Sequence, residues 1–332
     1  MRAAVLDNGK FTVREVPDPQ PGPDELILRV HGCGVCGSDL KTYPLLPDGT
    51  IMGHEFAGEV VAAGPDVAGL WPIGTPAAAL PVIGCRRCRR CAEGDPARCV
   101  TPQPLGLGVR SGGFAEYVAV AASETVALEP SIDLRTGALV EPLAVGLHAL
   151  NRGRARIGDR VLVIEAGPVG LSVVVWARHR GIADITVVDP VSGRRDSATA
   201  LGASRVIDPT TTPLGTDFDV VIECVGKSGM VAACVDAIAA GGHVVIAGVC
   251  MTEDTFMPVG AVVKDITMSF VSYYSRDEFA ITARALGAGE LRLDGYVSAF
   301  AALEDLQEVA ENLGRPTDQQ KIIITPLTRS TP

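Results

Sequence analysis

From residue 159 onward the chain alternates short apolar runs with longer mixed ones, and this rhythm restricts the fold more than any other feature. The runs at 161–164, 185–188, 220–224 and 243–249 are continuous and rich in Val and Ile, the pattern of strands buried on both faces. Between them, 169–178, 194–201 and 230–240 read as helices. Strands separated by helices predict a parallel sheet covered on both sides. Further on, 301–312 reads as a helix and 322–324 as a last strand. Pattern alone does not say whether these return to the first half.

Before residue 150 the texture differs. Short alternating segments, such as Leu26, Leu28 and Val30 or residues 56–61, are separated by Gly and Pro. They predict an antiparallel barrel or sandwich with long loops. A length of 332 residues suits two domains, and such a chain buries a sufficient core without disulfide staples. With 47% apolar and 20% charged residues, disordered, collagen-like and coiled-coil chains are excluded.

The balance of 29 basic against 39 acidic residues leaves a net charge of −10. Such a surface repels phosphate backbones and anionic membranes, which argues against nucleic acid and membrane partners. No apolar run reaches the ~20 residues of a bilayer span; the most apolar stretch, 161–177, is interrupted by Glu165 and by Gly and Pro. The N-terminus, Met-Arg-Ala-Ala-Val-Leu-Asp, lacks the apolar core of a signal peptide. A cytoplasmic protein is expected.

In that compartment nine cysteines suggest metal ligands or buried thiols rather than disulfides. Cys224, Cys234 and Cys250 stand in apolar runs and are expected to be small buried hydrophobes. Cys85-x2-Cys88-x2-Cys91-x7-Cys99 instead places four thiols within fifteen residues. This spacing suits a structural zinc whose closed sulfur shell leaves no position for chemistry. Arg86, Arg87, Arg89 and Arg90, lying between the ligands, are expected to offset its negative charge. A nucleic-acid-binding ribbon conflicts with the acidic surface, and an iron–sulfur cluster would be separated from zinc by its absorption spectrum.

Three further segments carry chemistry: Gly34-Val-Cys-Gly-Ser-Asp39, Gly53-His-Glu-Phe56 and Glu141-Pro-Leu-Ala-Val145. Each is weak alone. Together they offer a thiolate, an imidazole and two carboxylates, a mixed set suited to a catalytic zinc with an open position. A fourth segment, Glu165-Ala-Gly167-Pro-Val-Gly170, keeps the second and third glycines of the dinucleotide fingerprint but has Glu165 at the first. An acidic side chain there weakens cofactor binding unless it points away or pairs with a cation. Asp189, 19 residues after Gly170, stands where a carboxylate accepts hydrogen bonds from the adenosine ribose. It favours NAD over NADP, whereas Arg194 and Arg195 are the residue type that holds a 2′-phosphate. A flavodoxin-like sheet without a dinucleotide is the alternative.

With these segments, Gly112-Gly-Phe-Ala-Glu-Tyr117 and Lys321, the chain resembles the zinc-dependent medium-chain dehydrogenase/reductase (alcohol dehydrogenase) family over nearly its whole length. The nearest branch is that of sorbitol, threonine and butanediol dehydrogenases. The resemblance implies an α/β fold. A GroES-like β-barrel catalytic domain would span 1–148, with the zinc lobe at 85–99. A Rossmann doubly wound parallel sheet would span 149–286, and 287–332 would return to the catalytic domain. It implies two zinc ions per chain. Cys36, His54 and Glu141 would hold the catalytic one, Glu55 would exchange with its water, and Asp39 would orient His54. Ser38 would relay the substrate proton. NAD would meet Gly167, Pro168, Val169, Gly170, Asp189 and Arg194.

At Lys41 many family members carry a histidine that ends the relay; lysine is a poorer relay at neutral pH and would contact the cofactor or a water chain. His31, Cys33 and His148 are expected to be structural. The implied partners are a small alcohol or ketone and further copies of the chain, as homodimer or homotetramer. The expected function is reversible, NAD-dependent oxidation of a secondary alcohol, with the loop Tyr43-Pro-Leu-Leu-Pro47 hinting at an apolar or cyclic one. The alternatives are a zinc-independent, NADPH-dependent reductase of the same superfamily and a non-catalytic dinucleotide-binding regulator.

Overall fold

The apolar runs of the second half become parallel strands because both of their faces find a cover. In the computed structural model, which describes residues 1–327, one sheet has six strands. Their order is Arg205–Ile207, Asp184–Val188, Arg160–Ile164, Phe218–Glu223, Ile238–Ile246 and Thr267–Phe270. All neighbours run parallel. Val161 and Val163 pack on one side with Leu171, Val174 and Trp176 of the helix Pro168–His179. Leu162 and Ile164 pack on the other with Val231 and Cys234 of the helix Met230–Ala237. Each such side chain, fully buried, contributes about 1.5–3 kcal/mol.

The chain leaves Arg160–Ile164 toward one edge, then crosses to Phe218–Glu223 on the other side. A crevice opens beyond the carboxyl ends of these two strands, where ligands of doubly wound sheets bind.

Three boundaries differ from the sequence reading. Residues 238–240 extend a strand rather than a helix, and the helix predicted from 194 begins at Ser192. Residues 301 and 302 end the strand Val297–Ala302, and the helix begins only at Leu306. The alternation Val-Ser-Ala-Phe-Ala-Ala is a strand pattern, and the segment pairs in parallel with Lys321–Thr325.

The first half forms a largely antiparallel sheet of seven strands centred on Glu25–Gly34, which pairs with Glu55–Ala63, Tyr117–Ala121 and Lys321–Thr325. The last strands of the chain therefore complete the first sheet. The helix Val140–Arg152, within which position 148 falls, packs on Pro168–His179, and Trp176 Nε1 donates to the Leu143 carbonyl at 2.8 Å. This fixes Glu141, in the first turn of that helix, against the second half. No helix among the described residues is long and apolar enough to cross a membrane.

Candidate active site

Cys36 stands at the mouth of the short helix Gly37–Thr42, and its N–H donates to Asp39 Oδ2 at 3.0 Å. The other oxygen of the buried Asp39 lies 3.1 Å from His54 Nδ1. Asp39 thus ties the cysteine loop to the imidazole and leaves Nε2 as the ligand nitrogen, the support a metal-binding histidine needs. Ligand atoms of Cys36, His54 and Glu55 lie within 4.8 Å of one another. Burial opposes a charge on His54, but Asp39 and Cys36 outweigh it and hold its pKa well above the ordinary value. This pocket favours a positive charge, and its sulfur, nitrogen and oxygen donors suit zinc.

The two carboxylates sit differently from the implied arrangement. Glu55, expected to exchange with water, lies inside the triangle, and both its oxygens accept from Lys321 Nζ, at 2.7 and 2.5 Å. Lys321 also donates to the Val35 carbonyl at 2.9 Å. Glu141, expected as a ligand, is buried outside the triangle and accepts from the Tyr274 hydroxyl at 3.1 Å. Burial pushes its carboxyl up to about 7. Gly34 faces Glu55 across the sheet, and a Cβ there would come within 2.0 Å of Glu55 Oε2, so only glycine leaves room for the Glu55–Lys321 pair.

Ser38 Oγ donates to Cys36 Sγ at 3.2 Å, beside the triangle. Lys41 is turned elsewhere. Its Nζ donates to the carbonyls of Val249 at 2.6 Å and Val225 at 3.2 Å, strapping the first half to the strand ends of the second. His148 Nδ1 meets Glu278 at 2.8 Å, a structural contact, and Cys33 is fully buried. The loop at 43–47 does not line the cleft: Tyr43 packs on Phe11 with ring centroids 5.4 Å apart, and Leu45 is 71% exposed. Leu40 lines the cleft instead. The apolar-substrate hint from that loop thereby loses its basis.

The cleft of about 410 Å³ is bordered by Cys36, Ser38 and Lys41 on one side and by Gly167, Pro168 and Val169 on the other. Gly167 caps the helix Pro168–His179 and Pro168 fills its first turn. A Cβ on Gly170 would lie 1.9 Å from the Glu165 carbonyl, which explains that glycine. An adjoining space of about 560 Å³ continues past Val188, Asp189 and Val191. The Asp189 carboxylate accepts from the N–H groups of Ala166 at 3.0 Å and Val191 at 2.9 Å. Glu165 has found its cation: Arg194 Nη1 lies 3.4 Å from Oε1.

In the cysteine lobe, Cys88 Sγ lies 3.6 Å from Cys91 Sγ and 3.8 Å from Cys99 Sγ, and all four sulfurs lie within 4.8 Å. Tetrahedral Zn–S bonds of ~2.3 Å give sulfur–sulfur edges of about 3.8 Å. Backbone N–H groups of Cys85 and Thr101 donate to Cys99 Sγ at 3.1 and 3.3 Å, lowering that thiol's pKa. Those of Cys91 and Val100 lower Cys88 to about 6, while burial raises Cys91 to about 12.

The arginines do not all serve as expected: Arg86 pairs with Asp24, and Arg89 and Arg90 pair with Glu93. Carboxylates nearby thus already answer these charges. Cys234 is buried as expected, but Cys224 and Cys250 are partly exposed, Cys224 lining the cleft and Cys250 lying in the turn after a strand. Replacing Cys99 with serine should lower bound zinc from about two ions per chain to about one, read by elemental analysis. Retention of both ions would remove the lobe as a zinc site.

Sequence reasoning missed Tyr274 and the partnership of Lys321. A lysine heading an otherwise apolar strand was the available signal for Lys321. Nothing in the sequence singles out Tyr274.

Comparison with known proteins gives a consistent picture. Residues 22–130 match the model of the alcohol dehydrogenase GroES-like domain, and residues 168–287 that of the zinc-binding dehydrogenases. The chain is 38% identical to scyllo-inosose 3-dehydrogenase of Thermotoga maritima over 60% of this chain and 56% of that protein. It is 31% identical to a protein of Mycobacterium tuberculosis named as a probable zinc-binding alcohol dehydrogenase, over 92% of this chain and 83% of the other. Among solved structures, a zinc-binding dehydrogenase of Sinorhizobium meliloti bound to NADP superposes with a TM-score of 0.89 at 28% identity, over 98% of this chain and 99% of the other.

Proposed function

The chain belongs to the zinc-dependent medium-chain dehydrogenase/reductase family, and from that premise we propose that it reversibly oxidises a secondary alcohol to a ketone with NAD⁺. The observation that carries this reading is the meeting of Cys36, His54 and Glu55 beside a cleft that runs on to Gly167 and Asp189. Zinc there would ease loss of the alcohol's proton, and the nicotinamide would accept the hydride.

The chain's own groups supply the rest. Cys36 and His54 would hold the ion, and Asp39 fixes the imidazole. Glu55 is the carboxylate within reach of Cys36 and His54, since an oxygen that accepts from Lys321 keeps a lone pair for a metal ion, while Glu141 accepts from the Tyr274 hydroxyl. Ser38 takes the substrate proton and hands it to solvent in the cleft, since Lys41 is committed to three carbonyls. That commitment makes Lys41 a strap across the cleft rather than a proton carrier.

The test is a panel of secondary alcohols and diols with NAD⁺, followed by NADH absorbance, on protein whose zinc content is known. Absence of NADH from every member, in protein with about two zinc ions per chain, would overturn the reading. Full activity without zinc would favour the zinc-independent reductase.

The six-stranded sheet ends at Thr267–Phe270, an edge with an exposed apolar flank: Phe270 is 69% exposed, and Val259, Val262 and Val263 of the helix Pro258–Val263 are exposed beside it. Such an edge invites pairing with another strand. Two copies joined across it make a symmetric homodimer. Phe270→Asp should then shift the protein to monomer in sedimentation, and an unchanged oligomer would place the interface elsewhere.

A further inference from the structure

Glu165 occupies the first glycine position of the dinucleotide motif with φ at +87°, in the left-handed region that a side chain disfavours. A residue kept in this conformation at a binding cleft invites a functional reading. Its side chain borders both the metal end of the cleft and the space beside Asp189. Its Oε1 lies 3.4 Å from Arg194 Nη1.

Arg194 is itself held from three sides. Besides Glu165, its Nε donates to the Thr317 carbonyl at 3.0 Å, and Nη1 lies 4.0 Å from Asp189 Oδ2. Only 15% of its side chain is exposed. An arginine near the end of the second strand of such a sheet is the group that accommodates the 2′-phosphate of NADP, while the acidic residue there accepts the free ribose hydroxyls of NAD. The neighbouring Arg195 is also engaged, donating to the Asp189 carbonyl at 2.8 Å and pairing with Asp208 at 3.3 Å.

We propose that Glu165 is a cofactor-specificity determinant: it occupies the Arg194 guanidinium and adds a second carboxylate beside Asp189, so that the site accepts NAD and rejects NADP. The inference rests on the dinucleotide reading above. Removing the carboxylate leaves Arg194 on the Thr317 carbonyl with only the more distant Asp189 as ion partner and removes a repulsion, and both changes favour the 2′-phosphate. Neither change alters the ribose diol's contact with Asp189. Burial raises the Glu165 pKa to about 7, with Asp189 and Glu223 adding to the shift and Arg194 and Lys41 opposing it. Binding is therefore best compared at about pH 8.5, where the carboxylate is ionised.

The experiment is calorimetric titration of NADH and NADPH into the zinc-loaded wild type, Glu165→Gln, Glu165→Gly and Glu165→Gln/Arg194→Ala. Thermal melts check folding. The wild type should bind NADH ~100-fold more tightly than NADPH, a reach that one buried charge contact supports. Glu165→Gln should narrow that ratio about tenfold by tightening NADPH, and the added Arg194→Ala should abolish the gain. Glutamine keeps the size of the side chain, and glycine also relieves the backbone. Equal tightening of both cofactors by Glu165→Gly, with the ratio unchanged in Glu165→Gln, would overturn the proposal and leave only relieved strain. A wild type that prefers NADPH would also overturn it. Binding of neither cofactor by the wild type would overturn the dinucleotide reading itself, and this proposal with it.

Discussion

Lys321→Met should destabilise the protein by about 3–5 kcal/mol, the cost of leaving one member of a buried ion pair without its partner. The Lys321 side chain is 0% exposed and that of Glu55 1%, so removing the ammonium leaves a buried carboxylate without its charge partner. The same substitution strips the donor from the Val35 carbonyl. Chemical unfolding of the variant reads the loss directly. Glu55→Gln/Lys321→Met should recover most of it, because removing both charges also removes the desolvation penalty. A single variant within about 1 kcal/mol of wild type would show that the pair contributes little.

Burial alone lowers the pKa of Lys321, but Glu55 and Cys36 outweigh it and raise it above the ordinary lysine value. A raised folded pKa places the stabilisation below the unfolded value of ~10.4, and it is lost only as pH climbs through the folded one. The pair's contribution should therefore be flat across neutral pH.

The second large effect is on turnover. Cys36→Ser should leave the fold intact and lower kcat by on the order of a thousandfold or more, the scale of several kcal/mol of lost Lewis-acid assistance. Stability should change little, because Cys36 is partly exposed and serine keeps a side chain that can accept from Ser38 and His54. The cysteine lobe should keep its own ion, so zinc should fall from about two per chain to about one. Near-normal turnover in this variant would remove Cys36 from the chemistry. Unfolding would instead assign it to the scaffold.

The part of the fold that was legible from sequence is the part where burial speaks through pattern. Val161, Val163, Val220 and Ile222 are buried on one sheet face and Leu162, Ile164 and Val221 on the other, and their runs read as strands for that reason. Arg205–Ile207 and Thr267–Phe270 were not legible, because three or four residues carry little pattern and edge strands are not buried on every side. The pairing of Cys36 with His54 was readable from residue types, but the third corner was expected from Glu141 and is Glu55. How Glu55 and Glu141 divide their roles was not readable. That division depends on Lys321 and Tyr274, which lie far along the chain and reach the site only through tertiary packing. Likewise Lys41, expected at the cofactor or a water chain, meets the carbonyl of Val249 only once the second half is folded against it.

The strand that carries Lys321 has a consequence for biosynthesis. Lys321 lies 286 positions after Val35, whose carbonyl it holds, so a growing polypeptide exposes Glu55 long before its partner leaves the ribosome. Until then the amino-terminal sheet lacks both its closing strand and the charge that balances its centre. Long-separation pairings of this kind are slow to form and leave an unpaired edge during the wait. Maturation of the amino-terminal half should therefore be largely post-translational, and a nascent chain stalled before position 321 should be especially dependent on chaperones.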